Sequence, residues 1–235
     1  MKSGVDVGSH FSKHSGRYRQ TVYDANKQLY KNIGSELDKN LEGIVLDIGN
    51  GGVFVYDTDR LKQVIAVDLT FDDDVKHSKN IKYIIGDARD LSNIESNSCD
   101  NVVMQFLLHH IVEKSKAMTD NSMLAALKES HRVLKSGGRL NIIEMLVFSL
   151  VEYAEDILYG TNYHLLALFN KPMVKFYSKK GLLSRLYSAG FHKIDTKQIS
   201  IGSKWVDPCP VLLPGLIKLP TFLYPAKCYS IVAEK

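Results

Sequence analysis

The sequence predicts an α/β fold, a doubly wound and mostly parallel sheet with helices on both faces. Two observations carry the prediction. Apolar runs of strand length alternate with longer stretches whose apolar residues recur every three or four positions, the pattern of parallel strands joined by crossover helices. The first runs also stop at acidic residues or glycines, as in Val45-Leu46-Asp47-Ile48-Gly49 and Val64-Ile65-Ala66-Val67-Asp68. Open sheets of this kind bind ligands beyond the carboxyl ends of their strands, so these stops converge on one edge. A chain of 235 residues, 45% hydrophobic and 24% charged, suits one such domain.

The first 15 residues are polar and glycine-containing, and are expected to be loose without ligand. Tyr18, Val22, Ala25, Leu29, Ile33 and Leu37 then form one apolar stripe, which predicts a helix from Arg17 to Asp38. Residues 1–40 thus read as a cap segment, and 41–235 as the main domain. The first strand, Gly43 to Leu46, runs into Asp47 and then Gly49, Gly51 and Gly52. Glycines there allow a sharp turn and a close backbone approach to a ligand. The second strand ends at Asp68, where a carboxylate after a glycine turn can grip the two hydroxyls of a ribose. Only a brief helix or a loop fits between Asp68 and Asp87. The third strand ends in Ile84-Ile85-Gly86-Asp87-Ala88, and the fourth, Asp100 to Gln105, leads to Leu107-Leu108-His109-His110. A helix is expected over Asn121 to Leu134, closed by Gly137 in a left-handed position, with the fifth strand starting at Arg139-Leu140. Ser178 should cap a helix that Gly190 ends. Ile194–Ile201 and Cys228–Ala233 read as the last strands.

Two insertions stand out. Residues 146–176 read as mostly helical and rich in Tyr, Leu and Phe. Residues 201–225 hold five of the six prolines, so they are expected to form an irregular, rigid, apolar loop. Both are expected to lie above the ligand edge as a lid.

Charge and cysteine usage narrow the functional classes. The net charge of +4 comes from 30 basic and 26 acidic residues, without a run of four Lys/Arg, which disfavours a nucleic-acid partner. Cys99, Cys209 and Cys228 lack metal-ligand spacing, so no metal is expected, and Asp72–Asp74 reads as a solvated loop. An odd cysteine count behind a polar N-terminus fits reduced thiols in a cytoplasmic protein. There is no 18-residue apolar stretch, so no stable membrane insertion is expected. The apolar 205–225 loop reads equally as a homodimer surface or a membrane-touching patch.

In their order, the glycine turn, Asp68, Gly86-Asp87-Ala88, the fourth strand with Leu-His-His, and His131-Arg132-Val133-Leu134-Lys135-Ser136-Gly137-Gly138 resemble the class I S-adenosyl-L-methionine (SAM)-dependent methyltransferases. They are most similar to the broad type 11 group that includes ubiquinone and menaquinone methyltransferases. The resemblance covers residues 41–145. It departs at Val53, where the family has a last glycine, and Phe54 breaks the dinucleotide pattern G-x-G-x-x-G. It implies a Rossmann-like seven-stranded sheet with an antiparallel last strand, SAM as cofactor, S-adenosyl-L-homocysteine as product, and a small-molecule methyl acceptor.

The resemblance also assigns residues. Asp47, Gly49, Asn50 and Gly51 would face the methionine part of the cofactor. Asp68 would hold its ribose, and Leu69 would pack on adenine. Asp87, with Ala88 beside it, would take the adenine amine. Met104 and Gln105 would lie under the sulfonium. Tyr18 would cover the cofactor, with His14 and Tyr23 nearer the substrate. His109, His110 and Glu144 are the candidates for moving a proton, although Leu-His-His serves equally as a structural cap. Tyr153, Tyr163 and Trp205 decorate the insertions as walls for a flat or apolar substrate. The expected activity is methyl transfer to an O, N or C nucleophile of a small apolar or aromatic metabolite. The alternatives are a non-catalytic SAM-binding module and a SAM-dependent enzyme with non-methyl transfer chemistry.

Overall fold

A computed structural model of the chain describes residues 26–71, 75, 78–206 and 219–235. The strands are β1 (Ile44–Ile48), β2 (Gln63–Asp68), β3 (Ile81–Ile85), β4 (Cys99–Gln105), β5 (Leu134–Val147), β6 (Tyr177–Ser178), β7 (His192–Gln198), β8 (Trp205–Val206), β9 (Leu219–Pro220) and β10 (Lys227–Glu234). The helices are α1 (Lys27–Asn40), α2 (Lys116–Val133), α3 (Ser149–Leu168) and α4 (Lys179–Ser188).

The main sheet runs β3-β2-β1-β4-β5-β10-β7. Strands β1 to β5 are parallel, and β10 is antiparallel to both of its neighbours. The expected Rossmann-like order with an antiparallel last strand is therefore present, extended by the short β6 beside the end of β5. Strand order reverses between β1 and β4, so a crevice opens beyond their carboxyl ends.

The central strands β1 and β4 are buried along nearly their whole length, which is why each carries an apolar run, Ile44–Leu46 and Val102–Met104. One face of the sheet packs Met123 and Leu127 of α2 and Leu182 and Leu186 of α4 against Leu46, Val102 and Ile142. The other face receives Leu29, Ile33 and Leu37 of α1 against Val45, Val64 and Ile143. Successive residues Ile142 and Ile143 of β5 serve opposite faces, as the two-residue strand period requires.

Helix α1 sits so close to the loop after β1 that a methyl group on Gly34 would lie 2.0 Å from the Val55 carbonyl oxygen. Alanine in a helix interior normally gains about 1 kcal/mol over glycine. Here the backbone clash dominates, and Gly34→Ala should destabilise the fold by roughly 1–3 kcal/mol, read as a lowered urea midpoint. An unchanged or raised midpoint would mean that α1 does not pack at this distance.

Several boundaries differ from expectation. Helix α2 starts at Lys116 because the Ser115 hydroxyl accepts from Met118 N at 3.3 Å and Lys116 pairs with Asp120 at 2.6 Å. Gly137 does have φ +73°, but it does not close that helix. The chain passes straight from Val133 into β5. The register then jumps from Cys99↔Leu134 to Asn101↔Arg139, so Gly137 lies in a bulge. Ser178 caps α4 by accepting from Gly181 N at 3.0 Å, and Gly190 follows the helix with φ +99°. The 201–225 segment is not wholly irregular, since Trp205 pairs with Pro220 and Val206 with Leu219 in a two-stranded ribbon. Residues 17–25 of the expected first helix lie outside the described residues. No helix among the described residues is long and apolar enough to cross a membrane.

Candidate functional site

Two loops form the crevice. After β1, Gly49 and Gly51 take φ +77° and +59°, a region that costs glycine little and other residues more. A Cβ on Gly49 would lie 2.6 Å from Leu107 Cδ1, so the absence of a side chain lets this loop close on the loop after β4. Gly51 N donates to Asp68 Oδ2 at 2.7 Å, tying the glycine loop to the acid that ends β2. Asp68 also accepts from Thr70 N at 3.3 Å. Asn50 Oδ1 accepts from Gly52 N at 2.8 Å and closes the turn from inside.

Beneath this loop, Asp47 is buried. Tyr56 donates to its Oδ2 at 2.7 Å, and Oδ1 meets no hydrogen-bond partner among the described residues. Burial pushes the carboxyl up to about 7 against the Tyr56 hydrogen bond, and the Asp68 charge adds to the rise.

The consequence for stability has a definite sign. The folded pKa lies above the unfolded value of about 3.9, so the unfolded chain loses this proton first. Asp47 therefore withdraws stability as pH rises from about 4 to about 7. Asp47→Asn removes that effect and keeps an acceptor for Tyr56. Relative to wild type, the variant should gain stability between pH 4 and 7, at up to about 1.4 kcal/mol per pH unit. Urea melts at pH 4.5 and 7.5, values about the two ends of that window, check this. A gap that does not widen would show an already ionised Asp47.

The acid after β3 is engaged by its own chain. Arg89 Nε donates to Asp87 Oδ1 at 2.9 Å and Nη2 to Oδ2 at 2.6 Å, while Nη1 holds Glu113. Burial alone would raise the Asp87 pKa, but the Arg89 hydrogen bonds outweigh it and hold the carboxyl below its ordinary value. Any donor approaching Asp87 would therefore share its carboxylate with Arg89. Leu69 is exposed, as an adenine-facing residue needs to be, and Ile85 is exposed at the neighbouring strand end. Ala88, between Asp87 and Arg89, packs against the core edge.

At the end of β4, Met104 is fully buried in the core, while Gln105 is half-buried. A side-chain contact from Met104 to a ligand is thus replaced by core packing. The next residue, Phe106, has φ +52°, uncommon for a bulky side chain, and its N donates to Ile143 O at 2.8 Å. Such backbone strain clusters at ligand sites.

His109 and Glu144 come together. His109 Nδ1 lies 2.8 Å from Glu144 Oε1, which also accepts from Met145 N at 2.8 Å. Glu144 is buried, and the His109 ring stacks on Phe176 with centroids 5.8 Å apart. Lys175 N donates to the His109 carbonyl at 2.9 Å, fixing the backbone as well. His110 is set apart by its environment: desolvation, and then the neighbouring His109, hold its imidazole well below the ordinary histidine range. Tyr56, Arg89, Phe106 and Phe176 were not legible as site residues, because nothing in their local sequence signals these contacts.

Helix α3 rises from the end of β5 and is held by polar contacts. Glu152 accepts from Ser178 N at 2.9 Å and from Arg185 Nη1 at 3.1 Å. Tyr159 donates to the Glu113 carbonyl at 2.8 Å, and fully buried Lys175 pairs with Asp156 at 2.8 Å. Tyr153 and Trp205 stand exposed, and Tyr163 packs edge-on against His164. His14, Tyr18, Tyr23, Asp72–Asp74 and Cys209 lie outside the described residues. Among the described residues no group of three or more His, Cys, Asp or Glu is placed to hold a metal ion.

A glycine loop, a strand-end acid and an acidic turn gather around the switch point of the doubly wound sheet, the place where such sheets bind ligands. Residues 46–142 match the family described as a methyltransferase domain. No curated protein matches the chain in sequence. Three solved structures share the fold. One is a chain from the complex of the Haloferax volcanii methyltransferase activator Trm112, at 14% identity and TM-score 0.66, covering 97% of each chain. Another is a SAM-dependent methyltransferase of Thermotoga maritima, at 18% identity and TM-score 0.62, covering 98% of this chain and 100% of that one. The third is the Burkholderia thailandensis 1,6-didemethyltoxoflavin-N1-methyltransferase with its substrate and S-adenosylhomocysteine bound, at 15% identity and TM-score 0.62, covering 97% and 87%. Over residues 46–142 the chain is similar to methyltransferase domains, and its fold is one that SAM-dependent methyltransferases share. The cradle suits SAM, with bare backbone at Gly49, Gly51 and Gly52 and a buried Asp47 oxygen that has no hydrogen-bond partner among the described residues.

Proposed function

We propose that the enzyme methylates a small apolar or aromatic metabolite at a nucleophile that must lose a proton, and that His109 takes that proton. The His109–Glu144 pair carries this reading. Bound SAM supplies a methyl group already activated by its sulfonium. The protein's part is then alignment, desolvation and proton removal. A buried carboxylate on Nδ1 fixes the tautomer with its hydrogen there and leaves Nε2 with the lone pair that accepts a proton.

Asp68, Asp47 and the Gly49–Gly51 loop are the residues we assign to the ribose and methionine ends of the cofactor. Leu69 and Asp87 with Ala88 are assigned to adenine. Residues 1–40, α3 and the 201–225 segment are read as the cover of the acceptor space, supported by the rise of α3 directly from the end of β5. The enzyme is read as cytoplasmic, supported by Cys99 and Cys228, both buried and unbridged.

The direct test is incubation with SAM and a panel of phenols, enols and amines, read by mass spectrometry for acceptors that gain one CH₂ unit. Methylation of phenols or enols that fails in His109→Ala supports the reading. Turnover confined to amines already carrying a free lone pair would overturn the need for a base.

A further inference from the structure

Two surface grooves meet at the start of β10. The first, of about 690 Å³, lies between the end of β5 and α4. Its floor is apolar, from Leu146, Val147, Leu183 and Pro225, and its charged residues are Lys179, Lys180 and Lys227. The second, of about 800 Å³, lies under the β8–β9 ribbon, with Trp205, Pro220 and Phe222 as walls and Lys204 and Lys227 as its charged residues. Lys227 belongs to both, so the grooves form one continuous face. Neither has an acidic residue among the described residues that line it.

Large apolar side chains stand out along this face. Phe148 is 63% exposed, Tyr187 59%, Trp205 57% and Phe222 79%. Elsewhere the protein pairs its cations closely: Arg185 with Asp120 at 2.7 Å, Lys175 with Asp156 at 2.8 Å. Among the described residues no carboxylate lies within ion-pair distance of Lys179, Lys180, Lys204 or Lys227. The ammonium of Lys179 instead lies 5.7 Å from the Tyr229 ring, and Lys227 donates to the Thr221 carbonyl at 2.5 Å. Lys179 and Lys180 also occupy the first turn of α4, which holds no acidic residue. Cations there oppose the helix dipole and concentrate positive potential at the groove mouth.

We propose that this face docks the enzyme on an anionic lipid bilayer. Exposed aromatic rings mixed with lysines suit the headgroup boundary: rings enter the acyl margin and ammonium groups meet phosphates. The face adjoins the carboxyl end of β5, which places the ligand edge of the sheet beside the membrane. Docking stands independently of the assignment of His109, since it uses none of the crevice residues.

Trp205 is the only tryptophan in the chain, so its fluorescence reports on this face alone. The full-length protein would be mixed with vesicles of phosphatidylglycerol and phosphatidylcholine, and separately with pure phosphatidylcholine. The expected result is a blue shift of Trp205 emission with anionic vesicles, reversed by salt, together with co-sedimentation. Lys179→Ala/Lys180→Ala should weaken vesicle binding roughly 25-fold, from about five-fold per lysine, while S-adenosylhomocysteine affinity stays unchanged. No spectral shift of the wild type with anionic vesicles would overturn the proposal without any variant. Equal binding to neutral vesicles would overturn its electrostatic basis. Salt-insensitive self-association that buries Trp205 without lipid would assign the face to a second copy of this chain instead.

Discussion

His109→Ala should lower kcat by roughly 10²–10⁴-fold for a hydroxyl or carbon-acid acceptor, the range of a positioned general base. The affinity for S-adenosylhomocysteine should not change. The expectation rests on a histidine whose Nδ1 is fixed by a buried carboxylate at 2.8 Å and whose ring is clamped against Phe176. Glu144→Gln separates orientation from charge. It keeps a hydrogen-bond acceptor near Nδ1 but removes the carboxylate that stabilises a protonated ring. Its kcat should therefore fall less than that of His109→Ala, and its rate-against-pH profile should shift to lower pH, because the ring then gives up its proton more readily. A merely structural pair would instead lower thermal stability and leave that profile in place. Unchanged turnover in His109→Ala would sink the base assignment.

Loss of Asp68 should have an effect of similar size on a different observable. Hydrogen bonds to a charged group contribute about 1.5–3 kcal/mol each, so a carboxylate holding two ribose hydroxyls gives roughly 10²–10⁴-fold in Kd. Asp68→Ala should weaken SAM and S-adenosylhomocysteine binding by that factor in calorimetric titration. Asp68 also accepts from Gly51 N at 2.7 Å, so part of the loss would come from a loosened glycine loop. Asp68→Asn retains an acceptor for Gly51 and lowers only the charge. An Asn variant that binds nearly as well as wild type, beside a defective Ala variant, would assign the role to the loop. Wild-type affinity in both would remove Asp68 from the site.

The sheet was legible because its central parallel strands are largely buried and so carry apolar runs such as Val64–Val67 and Val102–Met104. The glycine loop, Asp68 and Asp87 were legible because short-range chemistry governs them: a left-handed φ and a strand-end acid both leave local marks. The partner of each acid was not legible. Glu144 on His109 depends on how β5 comes to rest beside the end of β4, while Arg89 on Asp87 and Tyr56 on Asp47 are near in sequence but set by loop paths that leave no apolar pattern. The start of α2 was missed because Lys116–Asp120 is polar and lacks the apolar spacing that marks the rest of the helix. The strain at Phe106 has no sequence signature at all, since φ is imposed by the packing of the β4 end.

Helix α3 buries only Glu152 and Tyr159, and its neighbours meet it through hydrogen bonds and ion pairs rather than through the main core. It therefore contributes little apolar burial to the cooperative unit formed by the sheet, α1, α2 and α4. Elements of that kind open locally at a free-energy cost well below that of global unfolding. The chain can thus lift or restructure residues 149–168 without melting the main sheet. Substitutions along this helix are likewise decoupled from the stability of the sheet, which makes it the segment where the sequence can drift at least cost to the fold.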